Sequence, residues 1–278
     1  MTEVYTINSR KGGTAKTTTI FEGADHLEQQ GNCILVIDLD PSMSLTYRYI
    51  FESEIDQRLS KENTILNLFE RDEPVKPIKV STGIDLIAGN ADLGSMSKTN
   101  KIIQGMGRRY LGYWFAKNKD WIEEHYDYIL IDTHNDGSIL VENAMIASDF
   151  IIIPIDVDGD SMRTVFEVED HLERLRELEL HPVTFETLVQ AKTLKVGTRV
   201  GDAANSKRFK AAFQKLMTQD SSYLGWFKYS ELIAKAKTEN KPLSEFKKIP
   251  LYKSKNFSGF FKEIDDLFDR MFSKETKH

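Results

Sequence analysis

Cysteine is almost missing from this 278-residue chain, with Cys33 the single one. No intrachain disulfide can form, and a reducing cytoplasm is the natural setting. At the head of an apolar run, Cys33 itself reads as a small buried apolar residue. No stretch approaches the ~18 consecutive apolar residues of a membrane helix. Internal repeats and low-complexity tracts are also absent. An apolar-alternating stretch begins by Glu3, so neither a signal peptide nor a helix-turn-helix extension is expected ahead of it. The net charge of −6, taken whole, argues against a nucleic-acid partner.

What is present begins with Glu3–Asn8, which alternates like a strand, and Ile20–Leu27, whose apolar residues recur at helical spacing. Between them runs Arg10-Lys11-Gly12-Gly13-Thr14-Ala15-Lys16-Thr17-Thr18-Thr19. Strand, glycine loop and helix start in that order make an anion site, because backbone N–H groups and the helix dipole converge on one point. Lys11, Gly12, Gly13, Thr14, Ala15, Lys16, Thr17 and Thr18 form the candidate nucleotide-binding set. Within it, Lys16 suits the β/γ-phosphates and the Thr17 hydroxyl suits Mg²⁺. The strict pattern G-x-x-x-x-G-K-[ST] fails at both glycines, where Arg10 and Ala15 stand.

An extra lysine ahead of two glycines, Lys11-Gly12-Gly13-Thr14-Ala15-Lys16-Thr17, resembles the deviant Walker motif of the ParA/MinD superfamily of ATPases. Ala15 replaces the glycine usual there, and a small residue still fits. Asn32–Asp38 reads as a buried strand leading into Asp38-Leu39-Asp40-Pro41, which resembles the family's Walker A′ motif. Tyr126–Thr133 resembles its Walker B strand, Gly83–Asn90 a further strand between them, and Phe150–Ile155 the next one. The motifs, within residues 7–19, 36–46 and 128–136, imply one P-loop NTPase-like α/β domain over 1–278. Its sheet would be mostly parallel, with helices on both faces. The resemblance implies ATP and Mg²⁺ as cofactors and an ATPase that is weak alone and stimulated by a partner. Thr17, Asp38 and Asp132 would serve the metal, Asp40 would orient the attacking water, and Lys16 would hold the phosphates. Lys11 would reach across an ATP-sandwich homodimer. Two departures stand out. Ser42-Met43-Ser44-Leu45 follows Asp-x-Asp-Pro, and Thr133-His134-Asn135-Asp136 replaces Thr-Pro-Pro after Walker B. His134 reads as a hydrogen-bonding neighbour of the pocket, not a catalytic group.

Elsewhere, 52–82 reads as surface helix and loop, and 90–118 as dimer-side and surface helices. An amphipathic helix runs over 161–180 and ends at His181-Pro182, with strands over 184–190 and 223–229. Charge is strongly segregated: residues 190–262 hold 16 Lys and Arg against 5 Asp and Glu, a net of +11, so the rest carries −17. Lys192, Lys195 and Arg199 cluster after a strand, Lys207 and Arg208 open a helix, and Lys235, Lys237, Lys247 and Lys248 follow. These are candidate phosphate contacts to double-stranded DNA without sequence specificity. From 257 to 273, Phe257, Phe260, Phe261, Ile264, Leu267, Phe268, Met271 and Phe272 share a helical stripe. The opposite face carries Glu263, Asp265, Asp266 and Asp269, where an anionic bilayer would want lysines, so packing on the sheet is expected and stable membrane association is not.

The resemblance thus implies a cytoplasmic, nucleoid-associated partition ATPase. An ATP dimer would bind DNA, and a ParB-like centromere-binding adaptor would stimulate hydrolysis. The alternative is a MinD-like membrane-cycling positioning ATPase. The iron–sulfur and tyrosine-kinase branches of the superfamily lack their cysteines and tyrosine-rich tail here.

Overall fold

Uninterrupted apolar runs mark strands covered on both faces. Such runs build the centre of the computed structural model, which describes residues 1–71, 74–96, 107–157 and 161–273. The strands are β1 Glu3–Ile7, β2 Ile34–Asp38, β3 Ile78–Lys79, β4 Ile84–Ile87, β5 Tyr128–Asp132, β6 Phe150–Asp156, β7 Lys192–Val200 and β8 Tyr223–Lys228. They form one sheet in the order β3-β4-β2-β5-β1-β6-β7-β8, parallel throughout except for the β3–β4 edge. Every residue of β2 and of β6 is buried. The expected mostly parallel α/β sheet is what the chain forms.

The larger helices are α1 Lys16–Gln29, α2 Tyr110–Lys117, α3 Lys119–His125, α4 Ile139–Ile146, α5 Ser161–Leu178, α6 Ala204–Gln219, α7 Glu231–Thr238, α8 Leu243–Lys248 and α9 Lys255–Phe272. On one face, Ile20, Phe21, Ala24 and Leu27 of α1 pack with Phe261, Ile264, Leu267, Phe268, Met271 and Phe272 of α9. The other face is covered by Trp114, Ile122, Leu140 and Ala144, and farther along by Val165, Val168, Leu172 and Phe213. The terminal amphipathic stripe therefore lies in the core, and the acidic side of α9 faces solvent. At 1.5–3 kcal/mol per buried side chain, those six residues of α9 contribute about 10 kcal/mol or more before entropy is subtracted.

Three expectations need correction. Cys33 is exposed, because it lies one residue ahead of β2, at the sheet's rim. Residues 184–190 make no strand. His181 and Glu186 close a loop there, with only an isolated Leu180–Thr187 bridge. The true strand is β7, and Lys192, Lys195 and Arg199 lie within it, not after it. Those three cations break the apolar pattern that would have marked β7, whereas Val183 and Phe185, apolar enough to suggest a strand, stand exposed in the loop. Part of the 90–118 region falls outside the described residues. The rest holds short helices at Leu93–Met96 and Tyr110–Lys117.

Candidate nucleotide site

Parallel pairing sets the register that builds the site. Ile7 ends β1 opposite Asp132, and Asp132 ends β5 opposite Asp38 of β2. The loop leaving β1 and two aspartates therefore open at one level, at the carboxyl edge of the sheet where ligands of open α/β folds bind. The loop reaches α1 through Gly13 at φ +73 and Ala15 at φ 65, ψ 26. Ala15 thus adopts the left-handed conformation normally left to glycine, at a cost of about 1 kcal/mol. A Cβ on Gly12 would stand 3.2 Å from Asn135 Nδ2, so the loop after β5 closes down on the glycine turn.

Thr17 donates its hydroxyl to Asp132 Oδ2 at 2.6 Å. Asp132 is fully buried, and its other oxygen, Oδ1, has no hydrogen-bond partner among the described residues. Burial, with Asp38 beside it, pushes Asp132 up to about 8 against the pull of the Thr17 hydroxyl and Lys16. Asp38, also fully buried, is raised to about 6 by desolvation. Its Oδ2 accepts from the Thr46 N–H and hydroxyl, each at 2.8 Å, and its Oδ1 from the Asp40 N–H at 3.1 Å. Both oxygens accept hydrogen bonds, so Asp38 shapes the Asp-x-Asp turn directly behind Asp132. Burial holds the Lys16 ammonium below its ordinary value, while Asp132, Asp40 and Asp136 draw it back up.

Three carboxylates, Asp132, Asp40 and Asp136, act on Lys16, with Asp38 beside Asp132, and a divalent cation would balance such a cluster. Asp132 Oδ1 and the Thr17 hydroxyl are hard oxygen donors of the kind Mg²⁺ takes. Among the described residues no group of three or more His, Cys, Asp or Glu side chains could hold a metal. A cation there would complete its shell from water and phosphate, as Mg²⁺ commonly does.

From the loop, a cleft of about 580 Å³ extends to the far end of the sheet, lined by Gly12 to Thr19, Asp40, His134 and Asn135. Phe227, Ile233 and Phe268 make its other, apolar end. Asp40 faces this space and accepts from the Ser42 N–H at 2.8 Å. His134 sits 3.3 Å from Asp136 at the rim. Sequence reasoning missed the whole apolar end, because Phe227, Ile233 and Phe268 come from β8, α7 and α9 and look like ordinary core positions.

The basic candidates separate into several groups. Lys195 is only 4 % exposed, its ammonium held by Glu169, Thr193 and Ser222, and it is no surface contact. Arg199 pairs with the buried Asp156 and, with Lys237, lines the nucleotide cleft. Lys247 is bound to Asp265 at 2.6 Å, and Lys235 donates to the Tyr252 hydroxyl at 3.2 Å. Lys207 and Arg208 on α6, with Lys192 and Lys248, are exposed. Burial of a lysine inside β7 cannot be read from charge counts, since its partners Glu169 and Ser222 lie far away in the chain.

Fold and site together define a P-loop nucleotide-binding α/β protein. The AAA_31 family, an AAA domain, matches residues 2–181, and the chain belongs to it. Among sequence relatives, an uncharacterized protein of Methanocaldococcus jannaschii is 29% identical over 183 residues, 64% of this chain and 68% of its own length. The chromosome partitioning protein ParA of Caulobacter vibrioides is 26% identical over 181 residues, 62% of this chain and 63% of its own. The chain thus spans about two thirds of the length of these relatives. Among solved structures, apo McdA of Cyanothece superposes with TM-score 0.76 at 19% identity, covering 98% of this chain and 100% of that one. Cobyrinic acid a,c-diamide synthase of Mycobacterium smegmatis, with bound ATP analog and magnesium, gives 0.62 at 21%, covering 77% and 82%. The resemblance to ParA-type proteins read from the motifs is borne out.

Proposed function

We propose that the protein is an ATP-hydrolysing partition ATPase that binds DNA nonspecifically as a nucleotide-dependent homodimer. The observation that carries the nucleotide part is the unpartnered, buried Oδ1 of Asp132, beside the Thr17 hydroxyl and below the glycine loop. Thr17 and Asp132 would hold Mg²⁺, which when bound would offset the negative charge of the phosphates. Lys16 and the loop N–H groups would hold the phosphates, and Asp40, facing the cleft with one oxygen on the Ser42 N–H, would orient the attacking water. Lys11 would serve the partner protomer's phosphates, which makes a lone subunit a poor catalyst. The apolar end of the cleft suits a nucleobase.

DNA binding rests on the exposed cations of α6 and its surroundings, with Lys207 and Arg208 foremost. A cytoplasmic, nucleoid-associated protein and a ParB-like adaptor that stimulates hydrolysis follow from this reading. The membrane-cycling alternative is weakened by the burial of Phe261, Ile264, Leu267, Phe268, Met271 and Phe272.

The test is binding to a random-sequence duplex with ATP–Mg²⁺ against ADP across a salt series. The expected result is ATP-dependent binding that weakens steeply with salt and vanishes in Lys16→Ala. The double change Lys207→Glu, Arg208→Glu should flatten the salt slope by about 2. Lys195→Ala, by contrast, should alter stability and leave the slope unchanged. ATP binding without DNA binding at low salt would overturn the partition reading and leave only a nucleotide-binding protein.

A further inference from the structure

Arg10 stands where the strict P-loop has its first glycine, and its side chain does not line the nucleotide cleft. Its guanidinium instead lies against Gly137, in the loop that follows β5, where any Cβ would collide with it. From there Nη2 meets His171 Nδ1 at 2.8 Å, on helix α5. An arginine can only donate, so Nδ1 is the acceptor and Nε2 carries the ring hydrogen. That hydrogen points to Glu142 Oε1 at 3.0 Å, on α4. Glu142 Oε2 in turn accepts from Arg108 Nε at 2.5 Å, and Arg108 and Arg109 share Glu179 at the end of α5. His171 is buried, at 8 % exposure, and lies on the sheet face away from α1.

We infer that His171 is a positioning residue for hydrolysis. Through Arg10 it clamps the turn carrying Lys11 against the His134–Gly137 loop and ties both to α5. The inference deepens the reading of this site as an ATPase and rests on it. Its physical basis is that one guanidinium, carried by the residue before Lys11, lies against Gly137 of the second loop while bonding His171. Locally, the Lys11 N–H donates to Ser9 Oγ at 3.3 Å and the Ser138 N–H to Asp136 Oδ1 at 3.1 Å. The Arg10–His171 bond spans 161 residues of chain and joins the loops to a rigid helix. A side chain that fixes a loop without touching the ligand changes the rate of the chemical step more than ground-state affinity.

The experiment combines steady-state ATP hydrolysis with hydrogen exchange of the full-length protein free of nucleotide. His171→Leu removes the acceptor and keeps the bulk. It should lower kcat about ten-fold with KM for ATP within about two-fold. His171→Gln, which can accept from Arg10 and donate to Glu142, should recover most of the loss. Arg10→Ala combined with His171→Leu should be no worse than the more damaging single change, since both remove one bond. Exchange of amides in residues 8–14 and 133–138 should rise about ten-fold in His171→Leu, with β2 amides unchanged. Additive kinetic effects, or loop exchange unaltered in His171→Leu, would overturn the proposal. If the wild-type protein hydrolyses no ATP, the ATPase reading falls, and the exchange result still decides whether His171 holds the loops.

Discussion

Replacing Phe272 by alanine should cost the protein about 4 kcal/mol of unfolding free energy and leave its affinity for anionic vesicles unchanged. The ring is 6 % exposed. It meets Tyr5 edge-on at 5.0 Å between centroids, Tyr128 at 6.0 Å and Phe268 in a stack at 6.2 Å. Its edge comes so near α1 that a Cβ on Gly23 would stand 3.1 Å from it. Burial of a phenylalanine and its cavity term amount to roughly 3–5 kcal/mol, with about 0.5–1.5 kcal/mol more for aromatic partners. Because whole-protein stability is only about 5–15 kcal/mol, the milder Phe272→Leu, expected to lose about 1–1.5 kcal/mol, should be run beside it. Urea unfolding followed by tyrosine and tryptophan fluorescence gives the stability, and co-sedimentation with anionic vesicles gives the second readout. A Phe272→Ala protein that loses less than about 1 kcal/mol and also loses vesicle binding would refute the argument. The terminal helix would then be a membrane element that the fold merely stores.

Two further outcomes follow from single side chains. Ala15→Gly relieves a left-handed alanine, and it should stabilise the free protein by about 0.5–1 kcal/mol in thermal unfolding, an outcome contradicted by any loss of Tm. Burial raises Asp25 to about 6, against the Ser244 hydroxyl that donates to it at 2.9 Å. A carboxyl raised in the folded state contributes stability that is present below about pH 3.8 and lost as pH climbs through about 6. Asp25→Asn should therefore remove that part of the pH dependence and gain at pH 7.5 at most about 3 kcal/mol, at 1.36 kcal/mol per unit. A pH–stability curve unchanged by the substitution would sink this assignment.

How much of this was legible beforehand depends on where each signal sits in the chain. Gly12, Gly13, Lys16 and Thr17 lie within six residues, so the phosphate loop could be read locally, while Asp38 and Asp132, each closing an apolar run, were assigned through the resemblance. Their meeting point follows from parallel register, which brings Asp38, Asp132 and the end of β1 to one level. The far end of the cleft was invisible, since Phe227, Ile233 and Phe268 are joined only by packing of β8, α7 and α9. Net charge misled for the same reason. It counts Lys195 as a surface cation although Glu169 holds it within the fold, and Arg199 as a free one although it pairs with buried Asp156.

The same logic separates the two roles of the deviant loop. Lys16, Thr17 and the N–H groups of the glycine turn act within a few residues of one another, so local sequence suffices to specify a phosphate cradle. What turns a cradle into a hydrolytic site is the placement of the loop after β5 over it, and that loop departs from the family pattern at His134, Asn135 and Asp136. Here the departure is matched by a second one: Arg10, absent from the strict motif, fills the space above Gly137 and ties it to His171. The Arg10 guanidinium thus joins Gly137, the residue that follows the departed stretch, to His171 on α5, so a change at either end should be felt at the other.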